Sequence, residues 1–573
     1  MLLTQNLFFS PPVEFCLEKC SRKTRVGPIF CSFEKKRSRS RSCGKLGVHH
    51  NGYTYFTAPH HPLELELPSF QTESGPDAAA IGIGIDKFYD GKNIFLTGAT
   101  GLLGKALVEK LLRSTSVGKI YILMKANDKE AALDRLSGEI IDSKLFECLR
   151  EKHGNSYEEF VRSKLIPVVG DICAPNIGMD AYSANEIIKE VDVIIESAAS
   201  TTLNDRYDFL LDINVNAPAR LMRFAKRCKN LKLFVHISTA YVNGIREGII
   251  YEEPLMVGGN GRKNDDDDEM HSSLFPLDLT DEMNLAMKAC IASTNYDAAK
   301  DLKRLGLERA AQYGWYNAYH MTKAMGEMVL DEIRQDVPVL ILRPSIIESC
   351  YKEPVPGWIQ GNRMYDPVII SYGKGQLPAY LADSDLHTDI VPVDMVVNTT
   401  IAAVAKHGIS SKPQLNVYHV ATDYVNPLRF GDMFEYIYQH FSADPLPEWE
   451  GVTQMKLFDE FSEFSNYIRD EISERCGMRN GNGMTIQKVQ RQHRARVAYA
   501  EQVCKMYEFI GFFKARFHTG NTRKLLGEMS KEERDTFEID AMKIDWREYF
   551  VRVHIPGLRK HVLNNGERST KTV

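Results

Sequence analysis

Asn93-Ile94-Phe95-Leu96-Thr97 runs directly into Gly98-Ala99-Thr100-Gly101-Leu102-Leu103-Gly104, and how this stretch is read decides the fold. The apolar run is short and ends at glycine, so it reads as a buried strand; the residues after Gly101 have the pattern of an amphipathic helix to about Arg113. Gly98 permits a tight turn, Gly101 lets backbone approach a pyrophosphate, and Gly104 lets helix and strand pack closely. The helix amino terminus offers unpaired N–H groups to phosphates. The segment is therefore expected to bind a dinucleotide through Thr97, Gly98, Thr100, Gly101, Leu102, Leu103 and Gly104.

Working outward, strand-like runs recur at Lys119 to Met124, Leu165 to Val169, Val191 to Ile195, Leu231 to Ile237 and Val337 to Leu342, with helical segments between them. Such alternation predicts an α/β protein, a Rossmann-type doubly wound parallel sheet with its cofactor across the carboxyl ends of the strands. The GxxGxxG spacing is the variant associated with the short-chain dehydrogenase/reductase superfamily. At the end of the second strand an acid would bond the ribose 2′-hydroxyl of NAD, whereas a cation would meet the 2′-phosphate of NADP. Lys125 stands there, and no acid occurs before Asp128, so NADPH is the expected cofactor. The same geometry places Asp171 near adenine and Ala198 and Ala199 on the nicotinamide side.

The chemistry-bearing residues follow later strands. Ser238-Thr239-Ala240-Tyr241 succeeds the fifth, and Tyr319-His320-Met321-Thr322-Lys323 opens a helix far downstream. Four-residue spacing puts Tyr319 and Lys323 on one helical face. A phenol is a poor acid near neutrality, and a neighbouring ammonium is expected to lower its pKa. Lys323 also suits the nicotinamide ribose. Thr239 is the candidate second donor, with Ser238 as its competitor.

Composition narrows the class. The chain is 43% hydrophobic and 26% charged with a formal net charge of −5, which fits a globular protein and disfavours a nucleic-acid surface. Its best apolar stretch, Met395 to Ala405, is too short to span a bilayer and contains Asn398. The cysteines show no CxxC pairing or metal spacing. Residues 1–50 carry ten Lys or Arg against three acids and include Arg37-Ser38-Arg39-Ser40-Arg41-Ser42, the composition of an organelle transit peptide. Residues 1–85 are read as transit peptide and linker. The acidic run Asp265 to Asp268 with Glu269 reads as a surface loop, and the basic tracts Lys488 to Arg496 and Lys514 to Lys524 as solvated helix faces.

Several strings together resemble the plant fatty acyl reductases that form primary alcohols, in the male-sterility branch with a plastid-targeting extension. They are the glycine turn, His236-Ile237-Ser238-Thr239-Ala240-Tyr241-Val242-Asn243-Gly244, Tyr319 through Glu327, and Leu342-Arg343-Pro344-Ser345-Ile346-Ile347-Glu348-Ser349. The likeness runs from about Phe88 to the carboxyl end. Leu102 and Gly104 stand where many relatives carry an aromatic and an alanine, and Ser197 replaces a commoner asparagine. The resemblance implies a reductase domain over 86–440, a linking helical segment over 441–490 and a small helical domain over 491–573. It implies catalysis by Thr239, Tyr319 and Lys323, and NADPH-dependent reduction of an acyl carrier protein thioester, saturated and near sixteen carbons, to a fatty alcohol for pollen or spore wall lipid in the plastid stroma. Alternatives are a cytosolic or endoplasmic reductase of acyl-CoA and a non-catalytic NADPH-binding protein. The sequence assigns no oligomeric state and no metal.

Overall fold

Ile94 and Leu96 enter the hydrophobic core on one side of the sheet and Phe95 the core on the other, the two-residue period of a strand covered on both faces. The computed structural model describes residues 82–255, 277–292, 298–410, 413–447, 452–478 and 486–563. The basic amino-terminal segment and the acidic run at 264–269 therefore lie outside the described residues.

Seven strands form one sheet: β1 (Ile94–Thr97), β2 (Ile120–Met124), β3 (Leu165–Val169), β4 (Val193–Glu196), β5 (Leu233–Ile237), β6 (Val339–Pro344) and β7 (Leu415–Val420). Their order is β7-β6-β5-β4-β1-β2-β3, and every pairing is parallel. The chain reverses direction across the sheet between β1 and β4, which opens a crevice at their carboxyl ends. β4, β5 and β6 each begin two residues later than the apolar runs that announced them. At β4 the reason is visible: Val191 closes the preceding helix, its N–H donating to Ile187 O at 3.0 Å. β7, with Asn416 and His419 among its residues, was not anticipated.

Five helices matter for the site: α1 (Leu102–Ser114), α2 (Ala217–Ala225), α3 (Ala318–Ile333), α4 (Val393–Ile409) and α5 (Ile486–Gly511). α1 packs against α4 on one face of the sheet and α2 against α3 on the other. α4 contains the most apolar stretch and is buried along most of its length. No helix among the described residues is long and apolar enough to cross a membrane.

The carboxyl-terminal region is stitched into this body. Ala515–Phe517 pairs in parallel with Gly248–Ile250, and Lys456–Phe458 with Ala379–Leu381. The Glu533 carboxylate accepts from the backbone N–H groups of Ile83, Gly84 and Ile85 at 2.7–2.9 Å, bracing the first described turn. In the basic tracts, Arg491 and Arg494 are exposed.

Candidate active site

The glycine turn is built for a close-lying group. Gly98 has φ +75°, and a Cβ there would stand 2.7 Å from the backbone nitrogen of Ala198. A Cβ on Gly104 would sit 2.2 Å from Gly98 O, so this glycine sets how near α1 approaches the turn. Around Gly101, the amino cap of α1, a Cβ would meet only Gly98 O, at 3.4 Å. The turn thus leaves its outer side and the first N–H groups of α1 available to a pyrophosphate. Thr97 Oγ1 accepts from the N–H groups of Ser197 and Ala198, both at 3.2 Å, tying the ends of β1 and β4 together. Gln360, from the segment after β6, donates to Thr100 O at 2.9 Å and props the turn from the other side. These features fit a nicotinamide dinucleotide.

Lys125 and Asp171, at the ends of β2 and β3, form an ion pair of 2.7 Å. Burial raises the Asp171 carboxyl, but the bond from Lys125 and the N–H of Cys173 outweigh it and hold it below its ordinary value. The Lys125 side chain is 70% exposed at the carboxyl end of β2.

The second group gathers past β5. Thr239 is buried and caps the short helix Ala240–Asn243, its Oγ1 accepting from the Tyr241 N–H at 3.4 Å. Asn317 caps α3 by accepting from the His320 N–H at 2.9 Å, which fixes where Tyr319 and Lys323 begin their shared face. Lys323, 1% exposed, donates to Ile237 O at 2.7 Å and lies 3.4 Å from His236 Nε2. The other ring nitrogen of His236 is bonded to the Glu196 carboxylate. Burial pulls the Lys323 ammonium below its ordinary value, opposed by Glu196 and then Glu327. Burial and then Lys323 keep His236 low, against Glu196.

The expected lowering of the Tyr319 phenol is corrected here. Burial pushes it up, and Lys323 directs its ammonium at Ile237 O and His236. A phenol held in its protonated form is a proton donor.

The structure also separates Ser238 from Thr239. Ser238 Oγ donates to the Glu327 carboxylate, which Arg343 clamps through Nη2 at 2.6 Å and Nε at 3.0 Å. Arg343 and Glu327 are both buried, so Ser238 belongs to an ion-pair network, whereas Thr239 caps the short helix Ala240–Asn243. Glu196, His236, Glu327 and Arg343 were missed as site residues. Three of them stand inside strings singled out in the sequence, but their partnerships exist only across the sheet.

Aromatic rings roof this end. Tyr241 lies 5.3 Å from His320, 5.2 Å from Phe513 and 5.3 Å from Phe517, while Tyr316 lies 5.2 Å from Phe509. Phe509 comes from α5, so carboxyl-terminal residues complete the wall above α3. Burial pulls the His320 imidazole down to about 3.

Comparison with known proteins agrees with this geometry. Residues 96–400 match the NAD-binding model of the male sterility protein family, and residues 483–565 match a second model of the same description. The chain is 47% identical over 495 residues to fatty acyl-CoA reductase 2, chloroplastic, of Arabidopsis thaliana, spanning 84% of this chain and 80% of that one. It is 35% identical to the alcohol-forming fatty acyl-CoA reductase of Simmondsia chinensis, across 83% and 98% of the two chains. Among solved structures, the terminal R domain of the myxalamid PKS-NRPS pathway superposes with a TM-score of 0.53 at 16% identity, covering 83% of this chain and 92% of that one, a likeness of fold alone. With the dinucleotide turn and both matched regions in one fold, the chain belongs to the male sterility protein family of fatty acyl reductases and is an oxidoreductase that uses a nicotinamide cofactor.

Proposed function

We propose that this protein reduces a long-chain acyl thioester, carried by acyl carrier protein in the plastid stroma, to the primary alcohol at the expense of two NADPH. The observation that carries the reading is Lys323 anchored to Ile237 O at the end of β5, on the helix whose first turn holds Tyr319, with Thr239 capping the short helix that follows the same strand. Lys125 at the end of β2 supports NADPH, since its exposed ammonium can turn from Asp171 to a 2′-phosphate. NADPH supplies a hydride to the carbonyl carbon in each of the two steps.

In the first step Thr239 and Tyr319 donate hydrogen bonds to the thioester oxygen and stabilise the negative charge that grows there. The carbonyl re-forms as the carbon–sulfur bond breaks, and the sulfur leaves as a thiol after gaining a proton. In the second step the same donors hold the aldehyde oxygen. Tyr319 passes its proton to the developing alkoxide and is reprotonated from solvent. The balance is one thioester, two hydrides and two protons giving one alcohol and one thiol. Lys323 keeps positive charge beneath the reacting oxygen and has a further N–H for the nicotinamide ribose. Tyr316, Phe509 and Phe513 offer apolar surface for the acyl chain, for which the family resemblance suggests about sixteen saturated carbons.

A second reading, acyl-CoA as substrate, is favoured by the names of the relatives, which are fatty acyl-CoA reductases. A plastid location is supported by the chloroplastic relative and the basic, serine-bearing amino terminus. A role in pollen or spore wall lipid follows from the family alone.

The test follows NADPH oxidation and extracted products with palmitoyl carrier protein and palmitoyl-CoA in parallel, with Tyr319→Phe as control. Alcohol formed preferentially from the carrier-protein thioester supports the proposal. Preference for CoA replaces it with the second reading, and NADPH binding without turnover of either overturns both.

A further inference from the structure

Away from the reacting group, three buried side chains from distant segments converge, one atom of each unpaired with the rest of the protein. Glu348 ends the strand Ile346–Glu348, Asp366 opens the helix Asp366–Gly373, and His554 ends the helical turn Tyr549–His554. Their exposures are 1%, 0% and 0%. In each, one atom is tethered by the protein. Glu348 Oε1 accepts from the Tyr365 N–H at 3.2 Å, Asp366 Oδ2 accepts from the Arg363 N–H at 3.0 Å, and His554 Nδ1 is bonded to Ser349 Oγ at 3.0 Å. The other atom of each, Glu348 Oε2, Asp366 Oδ1 and His554 Nε2, is buried with no donor or acceptor from the rest of the protein, the two carboxyl groups lying within hydrogen-bond reach of each other. One donor atom from each residue lies within 4.8 Å of those of the other two.

We propose that Glu348, Asp366 and His554 bind one divalent transition-metal ion, Zn2+ by donor chemistry, which fastens the carboxyl-terminal region to the reductase body.

Three observations support the assignment. First, His554 Nε2 stands 3.5 Å from Asp366 Oδ1, beyond good hydrogen-bond length. Two ligands each about 2.0–2.2 Å from one tetrahedral ion would be about 3.3–3.6 Å apart. Second, the tether from Ser349 fixes the ring so that Nε2 faces the carboxylates, the outer-shell arrangement that orients a ligating histidine. Tyr549 stacks on the same ring at 5.6 Å and donates to Ser349 O at 2.9 Å, holding this shell in place. Third, two carboxylates and an imidazole lone pair facing one another in a core need a positive charge among them. Arg363 is the nearby cation and reaches both carboxylates electrostatically, but its Nε donates to Gln360 O at 2.9 Å. A proton shared by Glu348 and Asp366 would satisfy the carboxylates but leave Nε2 unanswered.

The site does not depend on the proposed reaction, and its test reads metal rather than turnover. The full chain is purified without added chelator, and its metal content is measured by elemental analysis. Thermal unfolding is then followed before and after chelation and on adding Zn2+ alone, and Co2+ is added to the chelated protein. The expected result is about one equivalent of metal per chain, a chelator-induced fall in Tm reversed by Zn2+, and visible Co2+ bands of a low-coordinate site. His554→Gln should abolish the bands. Ser349→Ala, which leaves the ligands intact, should weaken Zn2+ binding by about 10–100-fold. A metal-free protein whose Tm moves with neither chelator nor Zn2+ overturns the proposal and assigns the three groups to proton sharing.

Discussion

Glu196, the last residue of β4, stands in register with His236 on β5, and the two side chains share a hydrogen bond from which solvent is excluded. Because the carboxylate accepts, the proton sits on Nδ1, and the lone pair of Nε2 turns toward the Lys323 ammonium. A residue on one strand thereby sets what a lysine on a helix can donate to.

Glu196→Gln keeps an acceptor for His236 but removes the charge that most opposes the lowering of Lys323. Lys323 then loses its proton more readily as pH rises. The alkaline limb of the kcat profile is expected to move to lower pH, with the NADPH dissociation constant changed less than about twofold. An unmoved limb would remove Glu196 from any electrostatic role.

Thr239→Ala is expected to lower kcat by about 10²–10³ without loss of NADPH binding, and Thr239→Ser to recover most of it. Ser238→Ala should do the reverse. It deprives the buried Glu327 carboxylate of a donor, so about 1–3 kcal/mol of stability is lost in urea unfolding while kcat stays within a few fold. An exchange of these outcomes would exchange the roles.

Lys125→Ala should raise KM for NADPH about tenfold, the worth of about 1.4 kcal/mol, and leave KM for NADH within about twofold. Steady-state kinetics with both cofactors decide it. Equal effects would place Lys125 away from the 2′-phosphate.

Glu252 links the segment after Gly248–Ile250 to the carboxyl-terminal region, accepting from the N–H groups of His419 at 3.0 Å and Asn521 at 2.7 Å. Burial pushes its carboxyl up to about 7, against those bonds. At low pH both folded and unfolded chains carry this proton. Between the ordinary value of 4.5 and about 7 the unfolded chain ionises first, so stability falls as pH rises through that window and is level above it. Unfolding free energies from urea titrations at pH 5 and 8 should differ by about 1–3 kcal/mol more for the natural protein than for Glu252→Gln.

The sheet was legible because its first six strands are short apolar runs, buried on both faces in all but the edge strand β3, which leave little else for such runs to be. β7 was not, since Asn416 and His419 interrupt its pattern, and only the neighbouring β6 makes it a strand. Thr239, Tyr319 and Lys323 were proposed from their order and spacing. Their tuning was not: the effect of Lys323 on Tyr319 depends on where its ammonium points, and Ile237 O and His236 decide that. Glu196 and His236 are separated by 40 residues in sequence, and nothing short of the sheet order makes them neighbours. The convergence of Glu348, Asp366 and His554 was hidden for the same reason.

The parallel pairing of Ala515–Phe517 with Gly248–Ile250 also sets a timetable. During synthesis the second of these strands follows the first by about 270 residues, which at about 5–20 residues per second is roughly 13–54 s. For that interval a nascent chain already carries the glycine turn, Thr239 and, later, Tyr319 and Lys323, yet Gly248–Ile250 has an open edge and the rings of Tyr241 and Tyr316 lack their cover from Phe509, Phe513 and Phe517. An unfinished polypeptide therefore displays apolar surface around Tyr241 and Tyr316 until residues 509–517 are made and folded over it.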